Sequence, residues 1–142
     1  MKTFSIERTV ALDAPAHIVF EALTNSDLIV RYYPLEEVIS NWEIGSEIVC
    51  RGSIEGQSFT DYGKIDSLTP NEEFQYTYWS TNHGTERIPE NHLTICYTLS
   101  QADNGTNLKL EQKNIKSEQM YSQMLNLWDF LLSNLKSFVE QN

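Results

Sequence analysis

Apolar residues change their spacing along the chain, and each spacing predicts one kind of element. The first stretch alternates apolar and polar residues, which predicts a strand with one buried face. Its apolar positions are Phe4, Ile6, Val10 and Leu12. Asp13 then suits the cap of a short helix that extends to Leu23, and Ser26 suits the cap of a second one. Pro34 prevents this second helix from continuing.

Strand-like alternation fills most of the range 35–113. The segments are EEVIS, EIVCRGSI, SFTDYGKIDSL, EFQYTYWS, HLTICYTLS and NLKLEQK. Because the turn-rich links between them are short, we expect neighbouring strands to pair in the antiparallel sense. Asn104 and Gly105 favour a hairpin turn over a glycosylation site. The polar range 81–91 has no period, and we expect it to form a loop.

A long helix is predicted at the C-terminal end, with Ser117 as its cap. Its apolar residues fill a broad arc of the helical wheel. They are Met120, Tyr121, Met124, Leu125, Leu127, Trp128, Leu131, Leu132, Leu135, Phe138 and Val139. So wide an apolar face needs contacts on several sides, which a strongly bent sheet provides. The pattern predicts an α+β fold: a curved antiparallel sheet of six or seven strands around this helix, with two short helices after the first strand.

Charge and cysteine content limit the function. The 142 residues match a single domain that spans 1–142. Ten basic and twenty acidic residues give a formal charge of −10, which disfavours nucleic acid and membrane surfaces as partners. Cys50 and Cys96 lie in predicted strands, and we expect them to be buried, reduced thiols. Because neither a signal peptide nor a membrane-spanning stretch is evident, we predict a cytoplasmic protein.

Several short motifs occur in a characteristic order. They are DAPAHIVFEALTN, RYYP, WEIG, YGKIDSLTPNEEFQYTY, GT before LKLEQ, and FLLSNLKSFVE after Trp128. In this order they resemble the START-like helix-grip (SRPBCC) superfamily, and within it bacterial relatives of the C-terminal domain of the heat-shock-protein-90 ATPase activator. The resemblance implies a cavity between the sheet and the long helix. Different members use it for lipids, polyketides or other apolar molecules, and a few for catalysis or chaperone binding.

Aromatic residues on the predicted inner faces are candidates for the wall of such a cavity, although packing in the core is the alternative for each. Tyr32 and Tyr33 close a short helix, so we expect them to gate an opening. The candidate ligand-binding residues are Tyr32, Tyr33, Asp61, Tyr76, Tyr78, Tyr97, Met124 and Trp128.

Three polar residues fall on faces that are otherwise apolar: Arg8, Asp61 and Gln112. Buried polar groups need partners, so these residues predict a polar end of the cavity in which Arg8 and Asp61 pair. The favoured alternative is a strand bulge, for which Gly63 is a natural site, that turns one of them outward.

The leading hypothesis is non-enzymatic binding of a hydrophobic small molecule such as a lipid, a flavonoid or a polyketide. A second is a protein-interaction module linked to a chaperone or stress response, with Phe130 on the polar helix face as a contact. A third is a cyclase-like or hydrolase-like enzyme that uses either the inner polar residues or the loop histidines His83 and His92. The histidines and cysteines lack metal-ligand spacing, so no metal, cofactor or catalytic residue is predicted. The chain is expected to be a monomer or a weak homodimer.

Overall fold

The computed structural model describes residues 2–141 and contains three α-helices and seven strands. In chain order the elements are β1 (Phe4–Leu12), α1 (Ala16–Leu23), α2 (Ser26–Tyr32), β2 (Glu37–Ser40), β3 (Glu47–Ile54), β4 (Gln57–Thr69), β5 (Glu73–Ser80), β6 (Leu93–Ala102), β7 (Gly105–Ile115) and α3 (Glu118–Glu140). A short 3₁₀ turn at Pro89–Asn91 interrupts the loop before β6. The predicted strands and the loop are therefore confirmed.

The strands form one curved antiparallel sheet in the order β1-β7-β6-β5-β4-β3-β2. After β1 the chain passes through α1 and α2 to the opposite edge, and from β2 onward each strand pairs with the next. Alternate residues of the central strands face the helices and form the core, as their apolar pattern predicts. The predicted α+β helix-grip architecture is confirmed.

The caps of the two short helices differ from the prediction. The residue before α1 is Pro15, and no side chain in the described part of the chain caps this helix. The Asp13 N–H instead donates to Glu140 Oε2 at 2.8 Å, which ties the start of α1 to the end of α3. Asn25, and not Ser26, caps α2, because its Oδ1 accepts hydrogen bonds from the backbone N–H groups of the first turn.

Helix α3 begins as predicted, with the Ser117 hydroxyl accepting a hydrogen bond from the Met120 N–H at 3.1 Å. Its buried side chains are Trp128, Leu131, Leu132, Leu135 and Val139. Leu127, which the helical wheel placed on the buried arc, is exposed at 36%. The residues before Trp128 are at most half-buried, so the C-terminal half of α3 provides most of the contact with the core. None of the helices within residues 2–141 combines the length and apolarity that a membrane crossing requires.

At two positions of the sheet, the backbone of another segment lies so close that only glycine, which has no side chain, fits. A Cβ on Gly105 would lie 2.2 Å from the carbonyl oxygen of Leu12, and one on Gly63 would lie 2.7 Å from that of Thr77. The predicted turn before β7 is present at positions 103–104. The register shift in β4 falls between Ile65 and Ser67, so Gly63 is not a bulge residue.

Candidate functional site

A cavity of about 60 Å³ lies between α2, β2 and the inner faces of β3 to β6. Aromatic side chains dominate its wall, and we call it the aromatic cavity. The aromatic residues are Tyr32, Tyr33, Trp42, Phe74, Tyr76, Tyr78 and Tyr97. Aliphatic residues of α1, α2, β2, β3 and β6 complete the wall, together with Cys50, Asp61 and Gly63. None of the residues of α3, all of which the structure describes, lines this cavity. The cavity therefore does not lie between the sheet and the long helix, where the family resemblance placed it, because α2 and the segment after it cover this part of the sheet.

Sequence reasoning placed eight residues in the site, and the structure brings six of them together at the aromatic cavity. These six are Tyr32, Tyr33, Asp61, Tyr76, Tyr78 and Tyr97. Trp128 lies behind the wall, with its ring edge-on to that of Tyr97 at a centroid distance of 6.1 Å. Met124 lines a separate open groove between α3 and the Ile54 and His83 side of the sheet.

The rings of the cavity wall form a continuous cluster because they occupy every second position of neighbouring strands and therefore face the same side of the sheet. Phe74 stacks on Tyr76 at 5.1 Å and on Tyr97 at 6.1 Å, and Tyr78 lies 6.2 Å from Tyr76. These spacings are typical of favourable aromatic pairs. Burial raises the pKa values of Tyr33, Tyr76, Tyr78 and Tyr97, so their hydroxyls stay neutral.

Asp61 is the charged residue of the wall, and no Lys, Arg or His of the described chain joins it there. It lies opposite Cys50 of β3 and Ser80 of β5. Among the described residues its Oδ1 is buried and has no hydrogen-bond partner. Burial raises the pKa of Asp61 to about 6, and the Ser80 hydroxyl partly offsets this rise. The carboxyl group is therefore mostly ionised at neutral pH and mostly protonated at pH 5.

Cys50 faces the same space, and burial and the nearby Asp61 carboxylate raise its pKa to about 12. Its sulfur is consequently a thiol at neutral pH, which is a poor nucleophile and a poor metal ligand. Within residues 2–141 no group of three or more His, Cys, Asp and Glu side chains is arranged to hold a metal ion.

The predicted pairing of Arg8 with Asp61 is wrong. Arg8 lies on the edge strand β1 and donates from Nε to Asp129 Oδ1 of α3 at 3.0 Å. Arg8 shares the inward-facing row of β1 with Ile6 and Val10, so no bulge turns it outward and this alternative is also wrong for Arg8. The pair is largely exposed and contributes little to stability.

Gln112 is fully buried, as its position on an apolar face predicted, and it links the sheet to α3. Its Oε1 accepts a hydrogen bond from Trp128 Nε1 at 2.6 Å, and its Nε2 donates to the Tyr78 hydroxyl at 3.2 Å. Met124 Sδ lies 3.9 Å from the same nitrogen. We call these residues the Gln112 cluster. It joins one tyrosine of the cavity wall to the two α3 residues that lie outside the wall.

Trp42 is a wall residue that sequence reasoning missed. Its backbone has φ of 55°, a conformation that bulky residues rarely adopt. Ser26 accepts a hydrogen bond from its Nε1 at 3.1 Å, and its ring meets that of Phe74 edge-on at 5.9 Å. The available signal was the motif WEIG, which served only to support the family resemblance.

Tyr32 is more constrained than a gate residue would be. Its hydroxyl donates to the Ala22 carbonyl at 2.9 Å, its ring lies 5.6 Å from that of Phe138, and its carbonyl accepts from Asn134 Nδ2 at 3.1 Å. It therefore fastens α2 to both α1 and α3, whereas Tyr33 follows the last residue of α2 and faces the cavity.

The two loop histidines have different partners. His83 Nδ1 accepts a long hydrogen bond of 3.4 Å from the Ser80 N–H, and its ring packs edge-on against Tyr78 at 5.4 Å. Burial lowers the pKa of His83 to about 4. His92 Nδ1 contacts the Ile88 carbonyl at 2.8 Å. Neither histidine lines the aromatic cavity, so among the described residues Asp61 is the one general base in its wall.

The fold defines a START-like protein, and the sequence gives the family. Residues 13–140 match the family described as "Activator of Hsp90 ATPase homolog 1-like protein". The chain belongs to this family, as its motifs predicted. No curated protein matches the sequence.

Solved structures share the fold over nearly the whole chain. The protein ChR145 of Cytophaga hutchinsonii is 29% identical, with a TM-score of 0.83 and coverage of 99% of this chain and 97% of its own. The protein CV1439 of Chromobacterium violaceum is 20% identical, with a TM-score of 0.80 and coverage of 97% and 99%. CalU16 of Micromonospora echinospora is 23% identical, with a TM-score of 0.70 and coverage of 96% and 73%. At such identities the last two similarities concern the fold alone.

Proposed function

We propose that this protein binds a small organic molecule in the aromatic cavity without catalysing a reaction. The observation that carries the proposal is an apolar wall in which one buried carboxylate oxygen, Asp61 Oδ1, has no hydrogen-bond partner within residues 2–141. Ligand sites are typically apolar and contain a few polar groups that fix the orientation of the ligand. A buried polar atom without a partner destabilises the protein, and a ligand that donates a hydrogen bond to it removes this cost.

The size of the cavity limits what fits without movement. Pockets for drug-sized ligands measure roughly 300–1,000 Å³, whereas this cavity measures about 60 Å³. A lipid or a flavonoid therefore requires α2 and the segment that follows it to move away from the sheet. Tyr32 and the Trp42–Ser26 hydrogen bond hold that cover in place. A molecule of a few heavy atoms needs no such movement.

The chemistry of the wall favours binding over catalysis. The Cys50 thiol is protonated, the tyrosine hydroxyls are neutral, and His83 lies outside the cavity. A nucleophile paired with a base, as acyl transfer or hydrolysis requires, is not assembled among the residues of this wall. Asp61 alone could accept a proton, and the cyclase-like alternative depends on it.

Binding is tested by NMR titration of ¹⁵N-labelled protein with fatty acids, flavonoids, aromatic polyketides and small amines and alcohols. We expect shifts of the amides of Tyr33, Cys50 and Tyr76 on addition of at least one compound. Cys50→Leu adds bulk inside the cavity and should weaken the binding, whereas Cys96→Leu changes a thiol that does not line it. Absence of any shift, or equal affinity of both variants and the wild type, contradicts the proposal.

A second candidate function is interaction with a protein partner through the outer face of α3. Phe130 is 54% exposed and Leu127 is 36% exposed, one helical turn apart. Phe130→Ser should then abolish a self-association or a chaperone contact seen with the wild type in analytical ultracentrifugation. Unchanged sedimentation alone and in mixtures with the chaperone excludes this function for the α3 face.

A further inference from the structure

We propose that the aromatic cavity selects a small protonated amine, whose ammonium group donates a hydrogen bond to Asp61 while its alkyl part lies among the aromatic rings. This inference rests on the proposed binding function and names the chemical class of its ligand. It follows from the charge, the ring content and the size of the cavity.

The charge of the wall is negative. Asp61 lies in it without a basic neighbour, and its Oδ1 lacks a donor among the described residues. A buried carboxylate is stabilised by a hydrogen-bonded cation, and such charge-assisted bonds are the strong ones. Within residues 2–141 no Lys or Arg side chain lines this wall, and Arg8 pairs with Asp129 on the edge strand β1. An anionic ligand such as a fatty acid would meet like charge.

The rings supply the second recognition element. Seven aromatic residues line the same small space as Asp61. Aromatic faces attract ammonium groups, and the attraction grows when water is excluded. The combination of rings with one carboxylate matches a cation that carries short alkyl groups, because the alkyl carbons gain contact with the rings while the charge is neutralised.

The volume sets the size of the ligand. A single water molecule needs about 10–15 Å³ of such space, so a cavity of about 60 Å³ holds roughly four to six groups of that size. Isobutylamine falls in this range, and isobutanol is its uncharged counterpart of nearly equal shape. The two compounds separate recognition of charge from recognition of an apolar group.

The affinity for the amine should depend on the ionisation of Asp61. The titratable groups that face Asp61 are Cys50 of β3, Tyr33 after α2 and Tyr78 of β5, and all three stay protonated below pH 8. His83, which packs against Tyr78, has a pKa of about 4 and is neutral above pH 5. An alkylamine stays charged throughout this range. With a pKa of about 6 for Asp61, the affinity should fall about tenfold from pH 7.5 to pH 5.0.

The experiment measures the dissociation constants of isobutylamine and isobutanol by NMR titration of the whole chain at both pH values. Asp61→Asn preserves the shape and removes the charge, and Asp66→Asn removes an exposed carboxylate of the same strand. We expect isobutylamine to bind the wild type and Asp66→Asn alike, and to bind Asp61→Asn at least tenfold more weakly. Thermal unfolding of each variant verifies that it is folded.

The outcomes separate the two proposals. If isobutanol or another neutral compound shifts the cavity amides while isobutylamine does not, or if Asp61→Asn and pH leave the amine affinity unchanged, the amine inference is overturned and the binding function stands. If no compound shifts these amides, both fail. Equal weakening by Asp61→Asn and Asp66→Asn indicates attraction to the acidic surface and also overturns the inference.

Discussion

A carboxylate that is buried beside aromatic rings lowers the stability of the protein at neutral pH. The unfolded chain ionises Asp61 near its ordinary pKa of 3.8, whereas the folded protein does so at about 6. The folded state therefore binds the proton more tightly, and the penalty for the ionised form is absent below pH 3.8 and complete above pH 6. An ionisable group that lowers the stability of the fold in this way is a candidate for a role in binding.

Asp61→Asn should consequently stabilise the protein at pH 7. The difference between pKa values of 3.8 and about 6 corresponds to roughly 2–3 kcal/mol. Denaturant unfolding at pH 7 and pH 4 measures the gain, which should be large at pH 7 and close to zero at pH 4. Asp66→Asn should change the free energy of unfolding by less than about 0.5 kcal/mol at either pH. A loss of stability in Asp61→Asn at pH 7 would show that the carboxylate supports the fold.

The sequence predicts which residues face inward better than it predicts their partners. Period-two alternation identified Asp61 and Gln112 as inward-facing because a strand presents every second side chain to one face. It could not assign Trp128 to Gln112 or Asp129 to Arg8, since those contacts depend on how α3 is rotated over the sheet. Trp42 was missed for a related reason: its left-handed backbone lies in a loop without any period.

At the scale of elements, the Gln112 cluster joins β7 to β5 and α3 through buried hydrogen bonds. The fully buried Gln112 amide accepts a hydrogen bond from the Trp128 indole N–H and donates one to the Tyr78 hydroxyl. Loss of the amide leaves these groups without their partner in a region from which water is excluded, and that loss is more costly than the net value of the bonds. The cluster therefore fixes the position of α3 relative to the cavity wall.

Gln112→Leu should lower the free energy of unfolding by about 2–4 kcal/mol, because two polar groups lose their partner while the volume hardly changes. Urea unfolding followed by tryptophan fluorescence measures the loss. Gln101→Leu, at an exposed position of β6, is the matched control and should change stability by less than about 0.5 kcal/mol. The double variant Gln112→Leu/Trp128→Phe should lose less than the sum of the two single losses. Strict additivity would argue against a direct bond.

The elements themselves were predictable because each carries its own local signal. Alternation gives the strands, and the wide arc and the Ser117 cap give α3. The caps of α1 and α2 were not predictable, since several residues in each link can accept a hydrogen bond. The choice of Asn25 over Ser26 goes with a contact between the Ser26 hydroxyl and Trp42, which is distant in sequence.

At the scale of the whole molecule, Asp61 and His83 both lie near Tyr78 and respond to pH in opposite ways. Burial raises the pKa of Asp61 to about 6 and lowers the pKa of His83 to about 4. Between pH 4 and pH 6, Asp61 is more protonated in the folded protein than in the unfolded chain, whereas His83 is less protonated. On acidification Asp61 therefore adds stability while His83 removes it.

His83→Gln should uncouple the two effects. The unfolded chain protonates His83 near pH 6.5 and the folded protein only near pH 4, so the stability that the neutral ring contributes is present above pH 6.5 and is lost as the pH falls toward 4. Because the variant lacks this loss, its stability relative to the wild type should rise steadily as the pH falls from 6.5 to 4. The stability of Asp61→Asn relative to the wild type should fall over the same range. His17→Gln, at an exposed position, should parallel the wild type. Thermal unfolding across this range measures all four curves, and parallel curves for His83→Gln and the wild type would mean that His83 titrates as it does in the unfolded chain.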